Sequence, residues 1–324
     1  MAAYDIFNGD ADGICALHQL RLARPCDSLL VTGVKRDIGL VARVRAAPGD
    51  KLTILDISFA ENCKAVLDAL EAGARCLYFD HHAGGDAVPA HPHLEAHIEA
   101  VPGVCTSLIV DRYLGARFRA WAVVAAFGDN LAVPAAQAAV SLGLTSDELA
   151  LLRELGECLN YNAYGDAPED LYFHPAELYR RLRPYPDPRE FAARDVAFET
   201  LRRGYQEDLA RATQVAPTLD TTTHYLVVLP DARWARRVHG ALANELAASH
   251  PHRAHAVLIR RGTTYRVSVR APAARPVGAA QLCSLFPSGG GRSEAGGIDV
   301  LPSADLAKFQ RAFELAFEPP PTGP

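Results

Sequence analysis

The sequence has no apolar run long enough to cross a membrane and no cysteine pair spaced as CxxC. The longest unbroken apolar stretch runs only from Ala120 to Phe127, whereas a membrane-spanning helix needs roughly 18–20 residues. The cysteines are odd in number and widely spaced, which excludes a disulfide framework or a thiolate zinc site and indicates reduced, mostly buried thiols. No basic segment leads into an apolar one near residue 1, so no secretory signal is expected and the expected location is the cytoplasm.

The composition is that of a globular protein without a basic coat. Apolar residues make up 49% of the 324 residues and charged residues 22%, which excludes wholesale disorder. At roughly 100–200 residues per domain, the length predicts two domains. The net charge of −5 argues against a protein that binds duplex DNA over a broad surface. Residues 220–324, however, carry a net charge of +4 against −9 for the rest, which indicates either an anionic ligand held by the C-terminal part or a chance scatter of surface charge.

Short β-branched or aromatic runs alternate with helical patterns in the first part of the chain. The strand-like runs are YDIF (4–7), SLLVTGV (28–34), KLTILDI (51–57) and RCLYF (75–79). Apolar residues at helical spacing lie between them, including a group at residues 40–44. The alternation predicts an α/β protein with a doubly wound parallel sheet, in which ligands collect at the carboxyl ends of the strands.

The rest of the chain predicts a helical part and then a second domain. Helical patterns fill residues 104–160, and a polar helical pattern over 190–215 is typical of a connection. Strand runs, a helix, a glycine-rich segment and a last helix follow. The predicted segments are a sheet domain (1–189, with its sheet in 1–130 and a helical part in 131–189), a connecting helix (190–218), a smaller C-terminal α/β domain (219–317) and a disordered tail (318–324).

Acidic residues follow the predicted strands, at the edge where a parallel sheet would bring them together. The carboxylates of this cluster and the histidines beside them are Asp10, Asp12, Asp56, Asp80, His81, His82 and Asp129. Like charges within a few ångströms raise one another's pKa and destabilise the fold unless cations intervene. Two divalent ions would neutralise most of this charge, and oxygen-rich sites with one or two imidazoles suit Mn²⁺ or Mg²⁺. Paired ions activate water for in-line displacement at phosphorus, so the pattern predicts phosphoester hydrolysis.

Parts of this pattern have simpler explanations. Asp12 alone is typical of a helix N-terminus, and NGDADGICALHQ also fits the calcium-loop template, although a strand rather than a helix precedes it. His81 and His82 point to opposite sides of an extended backbone, so at most one is expected to bind a given ion. The segment HPHLEAHIE either lines a strand face with histidines or is a solvated loop that enters a strand.

A glycine-rich segment, GGGRSEAGG, lies in the basic C-terminal part. Consecutive glycines allow backbone N–H groups to turn toward an anion, and an arginine adds a full positive charge. Gly290, Gly291 and Arg292 are therefore predicted to bind phosphate, with Arg270 of the run SVR beside them. A glycine-rich turn without a ligand is the alternative.

The motifs FNGDADG, LDIS, FDHH and FGDN resemble, in order, four motifs of the DHH phosphoesterase family, and GGGRSEAGG resembles the GGHxxAxG signature of its C-terminal DHH-associated domain. The resemblance covers nearly the whole chain. It implies two domains that face each other across a cleft, with two Mn²⁺ ions in the first and a substrate-gripping glycine loop in the second. The metal ligands that it implies are Asp10, Asp12, Asp56, His81 and Asp129. It makes Asp56 the bridging, catalytic ligand and gives Asp80 and His82 supporting or substrate-facing roles in catalysis.

Three positions depart from the family pattern. Asn8 stands where exonuclease-like members carry an acid, and Ile6 where pyrophosphatase-like members carry a histidine. Asn8 offers a metal only a neutral carbonyl oxygen, so one ion is expected to bind weakly or with water in the gap. Arg292 stands where the family has a histidine, which keeps phosphate binding and removes a pH-dependent role.

The expected function is that of a Mn²⁺-dependent phosphodiesterase that hydrolyses short single-stranded oligonucleotides to mononucleotides. No further run of five short strands is present to build the OB-fold that tracks long strands, which favours short substrates. The alternatives are a small-molecule phosphatase acting on a 3′-phosphonucleotide, a cyclic dinucleotide or polyphosphate, and a non-catalytic nucleotide-binding protein. The expected partner is a short nucleic acid or nucleotide phosphate. A homodimer is a further expectation, and neither duplex DNA nor a membrane is an expected partner.

Overall fold

The computed structural model describes residues 1–82 and 88–318, so the expected disordered tail, 318–324, lies outside the described residues apart from Glu318. The chain forms two compact units, Met1–Gly204 and Tyr205–Pro324, each with its own hydrophobic core. The division falls before residue 218, where the sequence places the end of the connecting segment. Within the described residues, no helix is both long and apolar enough for a bilayer span.

A five-stranded parallel sheet forms the centre of the first unit, as the sequence predicts. Its strands are β1 (Ala3–Phe7), β2 (Leu29–Val31), β3 (Lys51–Leu55), β4 (Arg75–Asp80) and β5 (Leu94–Ile98). They lie in the order β2-β1-β3-β4-β5. The strand order therefore reverses between β1 and β3, and this switch point is where doubly wound sheets bind ligands.

The helices of the first unit cover the sheet and form the segment that follows it. They are α1 (Ala11–Ala23), α2 (Phe59–Glu71), α3 (Thr106–Tyr113), α4 (Arg119–Gly128), α5 (Ala132–Ala139), α6 (Ser146–Ala163), α7 (Pro175–Leu182), α8 (Pro188–Arg194) and α9 (Val196–Thr213), which continues into the second unit. Capping side chains fix where two of these helices begin. Asp10 caps α1, and Thr145 with Glu148 forms a capping box at the start of α6.

Alternating residues of the strands separate the two faces of the sheet. On one face, Ile6 of β1 and Ile54 of β3 contribute to a core that includes Phe59 of α2. On the other face, Asp5 of β1 is buried and forms an ion pair with Arg21 of α1. Helices therefore cover both faces, which is the doubly wound arrangement that the sequence predicts.

The helical pattern at residues 40–44 is wrong as a prediction, because only a 3₁₀ turn, Val41–Arg43, forms there. The side chain of Asn62 in α2 satisfies the backbone of this segment. It accepts a hydrogen bond from the N–H of Val41 (3.3 Å) and donates one to the carbonyl of Ile38 (2.7 Å). These bonds hold the segment against α2 without the hydrogen bonds of a regular helix.

Two further segments differ from or complete the predictions. The helical pattern over 190–215 is divided into α8 and α9 at Asp195, whose carboxylate accepts a hydrogen bond from the first turn of α9. The segment HPHLEAHIE supplies β5, which pairs with β4. The His97 ring of this strand stacks on Phe79 with centroids 4.7 Å apart, so this histidine packs against the sheet.

The second unit contains a six-stranded mixed sheet. Its strands are β6 (Leu219–Asp220), β7 (His224–Leu229), β8 (Ala254–Arg261), β9 (Thr264–Arg270), β10 (Gly289–Gly291) and β11 (Ala295–Pro302), in the order β10-β11-β9-β8-β7-β6. Its helices are α10 (Arg233–Ser249), α11 (Ala279–Cys283) and α12 (Leu306–Ala316). The parallel pair β7–β8 is joined through α10, and the other pairs are antiparallel. The predicted smaller C-terminal α/β unit is confirmed.

Candidate metal centre at the strand ends

The carboxyl ends of the first sheet bring the predicted acidic residues into one cluster. The residues there are Asn8 and Asp10 after β1, Asp56 after β3, Asp80 at the end of β4 and Asp129 after α4. Because β1 and β3 pair at the switch point of the sheet, the residues that follow these two strands lie at its centre. The sheet topology therefore explains why residues far apart in sequence meet here.

His81 presents one ring nitrogen to three carboxylates. Its Nδ1 lies 3.0 Å from the carbonyl oxygen of Val104, and in the neutral tautomer that donates to this carbonyl the lone pair of Nε2 faces the carboxylates. Nε2 lies 3.4 Å from Asp56 Oδ1 and 3.9 Å from the nearest carboxylate oxygens of Asp12 and Asp129. An imidazole oriented by a backbone carbonyl behind it, with oxygen ligands in front, is the usual arrangement of a metal-binding histidine.

The N-terminus of α3 holds Asp12. Both carboxylate oxygens accept backbone hydrogen bonds of 2.7 Å, one from the N–H of Thr106 and one from the N–H of Ser107. The Ser107 hydroxyl also donates to the Asp12 carbonyl (2.8 Å). Sequence reasoning did not predict Thr106 and Ser107, although a Thr-Ser pair before an apolar helical pattern is a signal for a helix start. Each oxygen of Asp12 keeps a lone pair for a further ligand.

Asp56 occupies a strained backbone position in the centre of the cluster. Its φ is 58°, in the left-handed region that residues other than glycine rarely adopt. The backbone N–H of Asp56 donates to the Phe79 carbonyl (3.0 Å), and the Thr106 hydroxyl donates to its carboxylate (3.1 Å). Burial, together with the charges of Asp12 and Asp10, raises the pKa of Asp56 well above its usual value. Strain and like charge of this kind concentrate at functional sites.

Asp80 orients His82 and takes part in helix capping. The buried Asp80 carboxylate accepts a hydrogen bond from the N–H of Phe59 at the start of α2 (3.1 Å) and lies 2.7 Å from His82 Nδ1. Burial opposes a charge on His82, but the hydrogen bond and the charge of Asp80 prevail and raise the pKa of His82. Asp80 thus orients the second histidine of the DHH motif and favours its protonated form.

Asn8 and Asp10 bond to the protein in ways that the sequence did not predict. The side-chain oxygen of Asn8 accepts a hydrogen bond from the N–H of Asp10, and its amide donates to the Lys35 carbonyl, both at 3.2 Å. Asp10 Oδ1 accepts from the N–H groups of Asp12 (3.0 Å) and Gly13 (3.1 Å), which caps α1. Burial alone would raise the pKa of Asp10, but the Lys35 ammonium lowers it to about 2.

Lys35, which comes after β2 at the same edge of the sheet as the aspartates, also belongs to the cluster. Its Nζ lies 2.5 Å from Asp10 Oδ2 and 3.5 Å from Asp129 Oδ1. Burial lowers the pKa of Lys35, but the charge of Asp10 outweighs burial and raises it well above its usual value. The sequence signal was its position just after β2, a strand that pairs with β1. The contact of Lys35 with Asp10 depends on the order of the strands, which local sequence patterns do not predict.

The described residues include two groups of side chains that fit a divalent ion. Within each group the ligand atoms lie within 4.8 Å of one another, and the groups are Asp56, His81 and His82, and Asp12, His81 and Asp129. Both contain His81. Burial raises the pKa of Asp129, as it does that of Asp56, so the folded chain concentrates carboxylates where a dication would relieve their repulsion. The side chains therefore fit a metal on the His81 side of the cluster.

The glycine-rich segment of the second unit forms a hairpin. Gly289–Gly291 is the strand β10, and the turn to β11 closes with a hydrogen bond from the Arg292 N–H to the Ala295 carbonyl (2.8 Å). A Cβ at Gly289 would lie 1.9 Å from the Cys283 carbonyl oxygen, and Gly291 has a φ of 141°. These glycines are therefore required by close packing and by backbone conformation, apart from any contact with an anion.

The predicted arginines lie at the same end of the second sheet. Arg292 is exposed in the hairpin turn, and Arg270 at the end of β9 is in register with Ala295. Arg270 Nε donates to Asn244 Oδ1 (2.9 Å), which fixes its guanidinium beside α10. The structure thus brings Gly290, Gly291, Arg292 and Arg270 to one end of one sheet.

Neither a protein-family model nor a curated protein sequence matches the chain. Solved structures match almost all of it. A manganese-bound exonuclease RecJ has 16% identity and a TM-score of 0.61, covering 97% of this chain and 89% of its own. RecJ from Thermus thermophilus with Mn²⁺ has 18% identity and a TM-score of 0.64, covering 97% of this chain but 51% of its own. A pGpG-specific phosphodiesterase from Vibrio cholerae has 13% identity and a TM-score of 0.58, covering 98% and 99%.

The likeness is one of architecture, because the sequence identities are low while the coverage of this chain is nearly complete. It includes the parallel sheet that carries FNGDADG, LDIS and FDHH at its strand ends. With 97–98% of this chain covered, the likeness extends over both units. The chain has the fold of RecJ and of the pGpG-specific phosphodiesterase, the fold that its resemblance to the DHH phosphoesterases implies.

Proposed function

We propose that this protein is a metal-dependent phosphodiesterase that hydrolyses short single-stranded oligonucleotides to mononucleotides. The observation that carries the proposal is His81, whose Nε2 faces the carboxylates of Asp12, Asp56 and Asp129 at the switch point of a parallel sheet. Buried carboxylates around one imidazole are suited to a divalent ion. The shared fold with RecJ and a pGpG-specific phosphodiesterase supports phosphodiesters as the substrate class.

The metal is proposed to be Mn²⁺, with Mg²⁺ as the other candidate, held by Asp12, Asp56, His81 and Asp129. When bound, such an ion lowers the pKa of water and stabilises charge on phosphoryl oxygens. The ligand atoms support this choice. Both candidate groups consist of carboxylates and imidazoles, and oxygen-rich sites of this kind suit Mn²⁺ or Mg²⁺. Thr106, Ser107 and Val104 keep these ligands in place through the hydrogen bonds described above.

His82 is proposed to contact the phosphate of the substrate. One of its ring nitrogens lies within 4.8 Å of the ligand atoms of Asp56 and His81, so the ring borders the metal centre. Asp80 fixes the ring through Nδ1 and stabilises a positive charge on it. A positively charged donor at the edge of the centre suits a phosphoryl oxygen.

Arg270, Gly290, Gly291 and Arg292 are proposed to bind a phosphate of the nucleotide. The net charge of +4 on residues 220–324 supports an anionic ligand on this unit. Arg292 is exposed in the turn, and an arginine fork binds phosphate through two parallel hydrogen bonds. Arg270, already fixed by Asn244, lies beside the same hairpin.

The likeness to a pGpG-specific phosphodiesterase, which covers 98% of this chain and 99% of that one, supports short substrates. The second unit, with its parallel pair β7–β8 and helix α10, differs from the five-stranded OB-fold that binds longer single strands. A phosphodiesterase restricted to linear dinucleotides is therefore the second candidate function.

The test is a substrate panel assayed with purified protein and Mn²⁺. The panel contains a 5′-labelled dinucleotide, a long single strand, a 3′-phosphonucleotide, a cyclic dinucleotide and pyrophosphate. We expect the dinucleotide to be cleaved fastest, with mononucleotides as products. Faster cleavage of the 3′-phosphonucleotide, the cyclic dinucleotide or pyrophosphate would replace the proposed substrate, and no hydrolysis of any member would indicate a nucleotide-binding protein.

Variants link the activity to the site. We expect Asp80→Asn to lower kcat by roughly tenfold to a hundredfold, because His82 loses the carboxylate that orients it. The matched control is Glu95→Gln, which removes a carboxylate that lies 2.9 Å from the half-buried imidazole of His97. An Asp80→Asn variant that cleaves the dinucleotide as fast as the parent would contradict the role given to His82.

A further inference from the structure

The Asp10 side of the cluster differs from the His81 side. Within residues 1–82 and 88–318, neither group of side chains that fits a metal includes Asp10. Asp10 Oδ1 accepts two backbone hydrogen bonds from the first turn of α1, and Oδ2 lies 2.5 Å from Lys35 Nζ. The oxygen that would otherwise face a second ion therefore already has a cation beside it.

The Lys35 ammonium is surrounded by acceptors. Besides Asp10, it lies 3.5 Å from Asp129 Oδ1 and 3.4 Å from Asn160 Oδ1. An ammonium group has three N–H donors, and these three oxygens match that number. The ring of Tyr164 lies 5.8 Å from Nζ and adds a cation–π contact. The position is thus built to hold a positive charge between two carboxylates of the centre.

The backbone of Lys35 is fixed as well as its side chain. Its N–H donates to the carbonyl of Ala163 at the end of α6 (3.0 Å), and its carbonyl accepts from the Asn8 amide (3.2 Å). A carboxylate at position 8 has no N–H to donate to that carbonyl. The amide at position 8 and the lysine at position 35 are therefore linked features of one local structure.

We infer that the Lys35 ammonium takes the place of a second divalent cation, so that the centre binds one metal ion per chain, on the His81 side. This inference rests on the metal centre of the proposed function and is an alternative to the two ions that the sequence predicts. Charge supports it: the carboxylates of Asp10, Asp12, Asp56 and Asp129 carry −4, and one dication with one ammonium leaves −1. The neutral Asn8 removes the further charge that a second dication would balance.

The test is the number of Mn²⁺ ions bound per chain. Chelator-treated full-length protein is titrated with Mn²⁺, and bound metal is measured by equilibrium dialysis with atomic emission and by electron paramagnetic resonance. We expect one ion per chain with the signal of isolated Mn²⁺. Lys35→Met, which keeps the length of the side chain and removes its charge, is expected to bind two ions with a spin-coupled signal. Lys64→Met is the matched control, because among the contacts described Lys64 pairs only with Asp68, in an exposed ion pair. The Lys64→Met protein is expected to bind one ion, like the parent.

Two results would overturn the inference. One is a parent protein that binds two ions of similar affinity, which decides the matter even if Lys35→Met does not fold. The other is a Lys35→Met protein with the parent's circular dichroism spectrum that still binds a single ion.

The number of bound ions is measured independently of hydrolysis, so the two proposals can fail separately. A parent protein that cleaves the dinucleotide with two ions bound contradicts only the role of Lys35. A parent with one ion and no hydrolysis contradicts only the proposed function, and a parent that binds no ion contradicts both.

Discussion

At the scale of single residues, Asp56 combines backbone strain with unfavourable charge. Its φ of 58° places it in a region that costs most residues roughly 1–2 kcal/mol, although Asp and Asn tolerate it better than others. Its side chain is only 2% exposed and borders Asp10 and Asp12. Burial and these neighbours raise its pKa, so without a metal the ionised carboxylate of Asp56 destabilises the folded chain. Asp56 therefore lowers the stability of the folded chain unless a cation lies beside it.

Asp56→Asn is therefore expected to stabilise the metal-free protein. The amide keeps the side-chain volume and tolerates the left-handed backbone, and it removes one buried like charge. We expect a gain of about 1–3 kcal/mol, the order of magnitude of the desolvation penalty of a buried polar group. With about 2–4 °C per kcal/mol for a unit of this size, scanning calorimetry in the presence of a chelator resolves the change.

The effect of Asp56→Asn on stability is expected to depend on pH. A carboxyl group with a raised folded-state pKa destabilises the fold above that pKa, and the penalty disappears as pH falls toward the unfolded-state value of 3.8. The stability gain of Asp56→Asn over the parent is thus largest at neutral pH and closes in acid. The control is Asp68→Asn, which removes a carboxylate that pairs with the exposed Lys64, and it is expected to give no gain in stability at pH 7. A metal-free Asp56→Asn protein less stable than the parent at pH 7 would refute the argument.

Most of the acidic cluster was predictable residue by residue, but the contact between Asp10 and Lys35 was not. Asp10 and Asp56 follow strand-like runs, and the carboxyl ends of parallel strands meet at one edge, so the sequence is sufficient to group them. The contact between Lys35 and Asp10 requires the knowledge that β2 pairs with β1. The use of the Asn8 oxygen for the N–H of Asp10 is likewise a matter of local geometry that residue types do not specify.

At the scale of elements, the crossing of α4 and α6 determines where Asp129 lies. The two helices meet at Gly128 and Gly156: a Cβ at Gly156 would lie 2.1 Å from the Val124 carbonyl oxygen, and one at Gly128 would lie 2.7 Å from the Gly156 carbonyl oxygen. Asp129 follows Gly128 directly at the end of α4. The close backbone contact between the helices therefore positions a candidate metal ligand.

Gly156→Ala is expected to destabilise the protein and weaken Mn²⁺ binding together. The added methyl group meets backbone, which cannot rotate away, and overpacking of this kind costs about 1–3 kcal/mol. The gain in helix propensity, at most about 1 kcal/mol, offsets only part of this cost. The melting temperature and the Mn²⁺ affinity by titration calorimetry are the measurements. Gly39→Ala is the control, because an added Cβ there meets nothing within 4 Å. A Gly156→Ala protein with parental Mn²⁺ affinity would show that α4 does not position Asp129 in this way.

The apolar periodicity of the sequence predicted the presence of helices and strands more accurately than it predicted their ends. The helical pattern over 190–215 contains a break at Asp195, whose carboxylate caps the start of a new helix. The spacing of apolar residues does not predict that break. Residues 40–44 have helical spacing but form a 3₁₀ turn, because the side chain of Asn62 supplies their hydrogen bonds. The hydrogen bonds from the start of α3 to the Asp12 carboxylate join residues about 95 positions apart in sequence. Tertiary contacts of this kind lie beyond a reading of local patterns.

At the scale of the whole molecule, the alternation of strands and helices was enough to predict a parallel sheet, because parallel strands require crossover connections. It also predicted the second α/β unit, from strand-like runs that resume near residue 224. The order β2-β1-β3-β4-β5 depends on which strands pair, and the position of the switch point follows from that order. The motifs that resemble DHH phosphoesterases supplied what periodicity lacked, since their residues converge at the β1–β3 pair.

The division into two units leads to a prediction about the whole chain. Asp12, Asp56, His81 and Asp129 all precede Gly204, and each unit has its own core. Mn²⁺ should therefore slow hydrogen exchange in the first unit, at amides of β1, β3 and β4, and leave β7 and β8 of the second unit as internal controls. At a free Mn²⁺ concentration about 100 times Kd, binding stabilises the native state by about 2.7 kcal/mol, which slows globally exchanging amides about 100-fold. Hydrogen-exchange mass spectrometry with parent and His81→Ala proteins measures this. Equal protection of both units would show that they unfold as one cooperative body, and parental protection in His81→Ala would place the ion elsewhere.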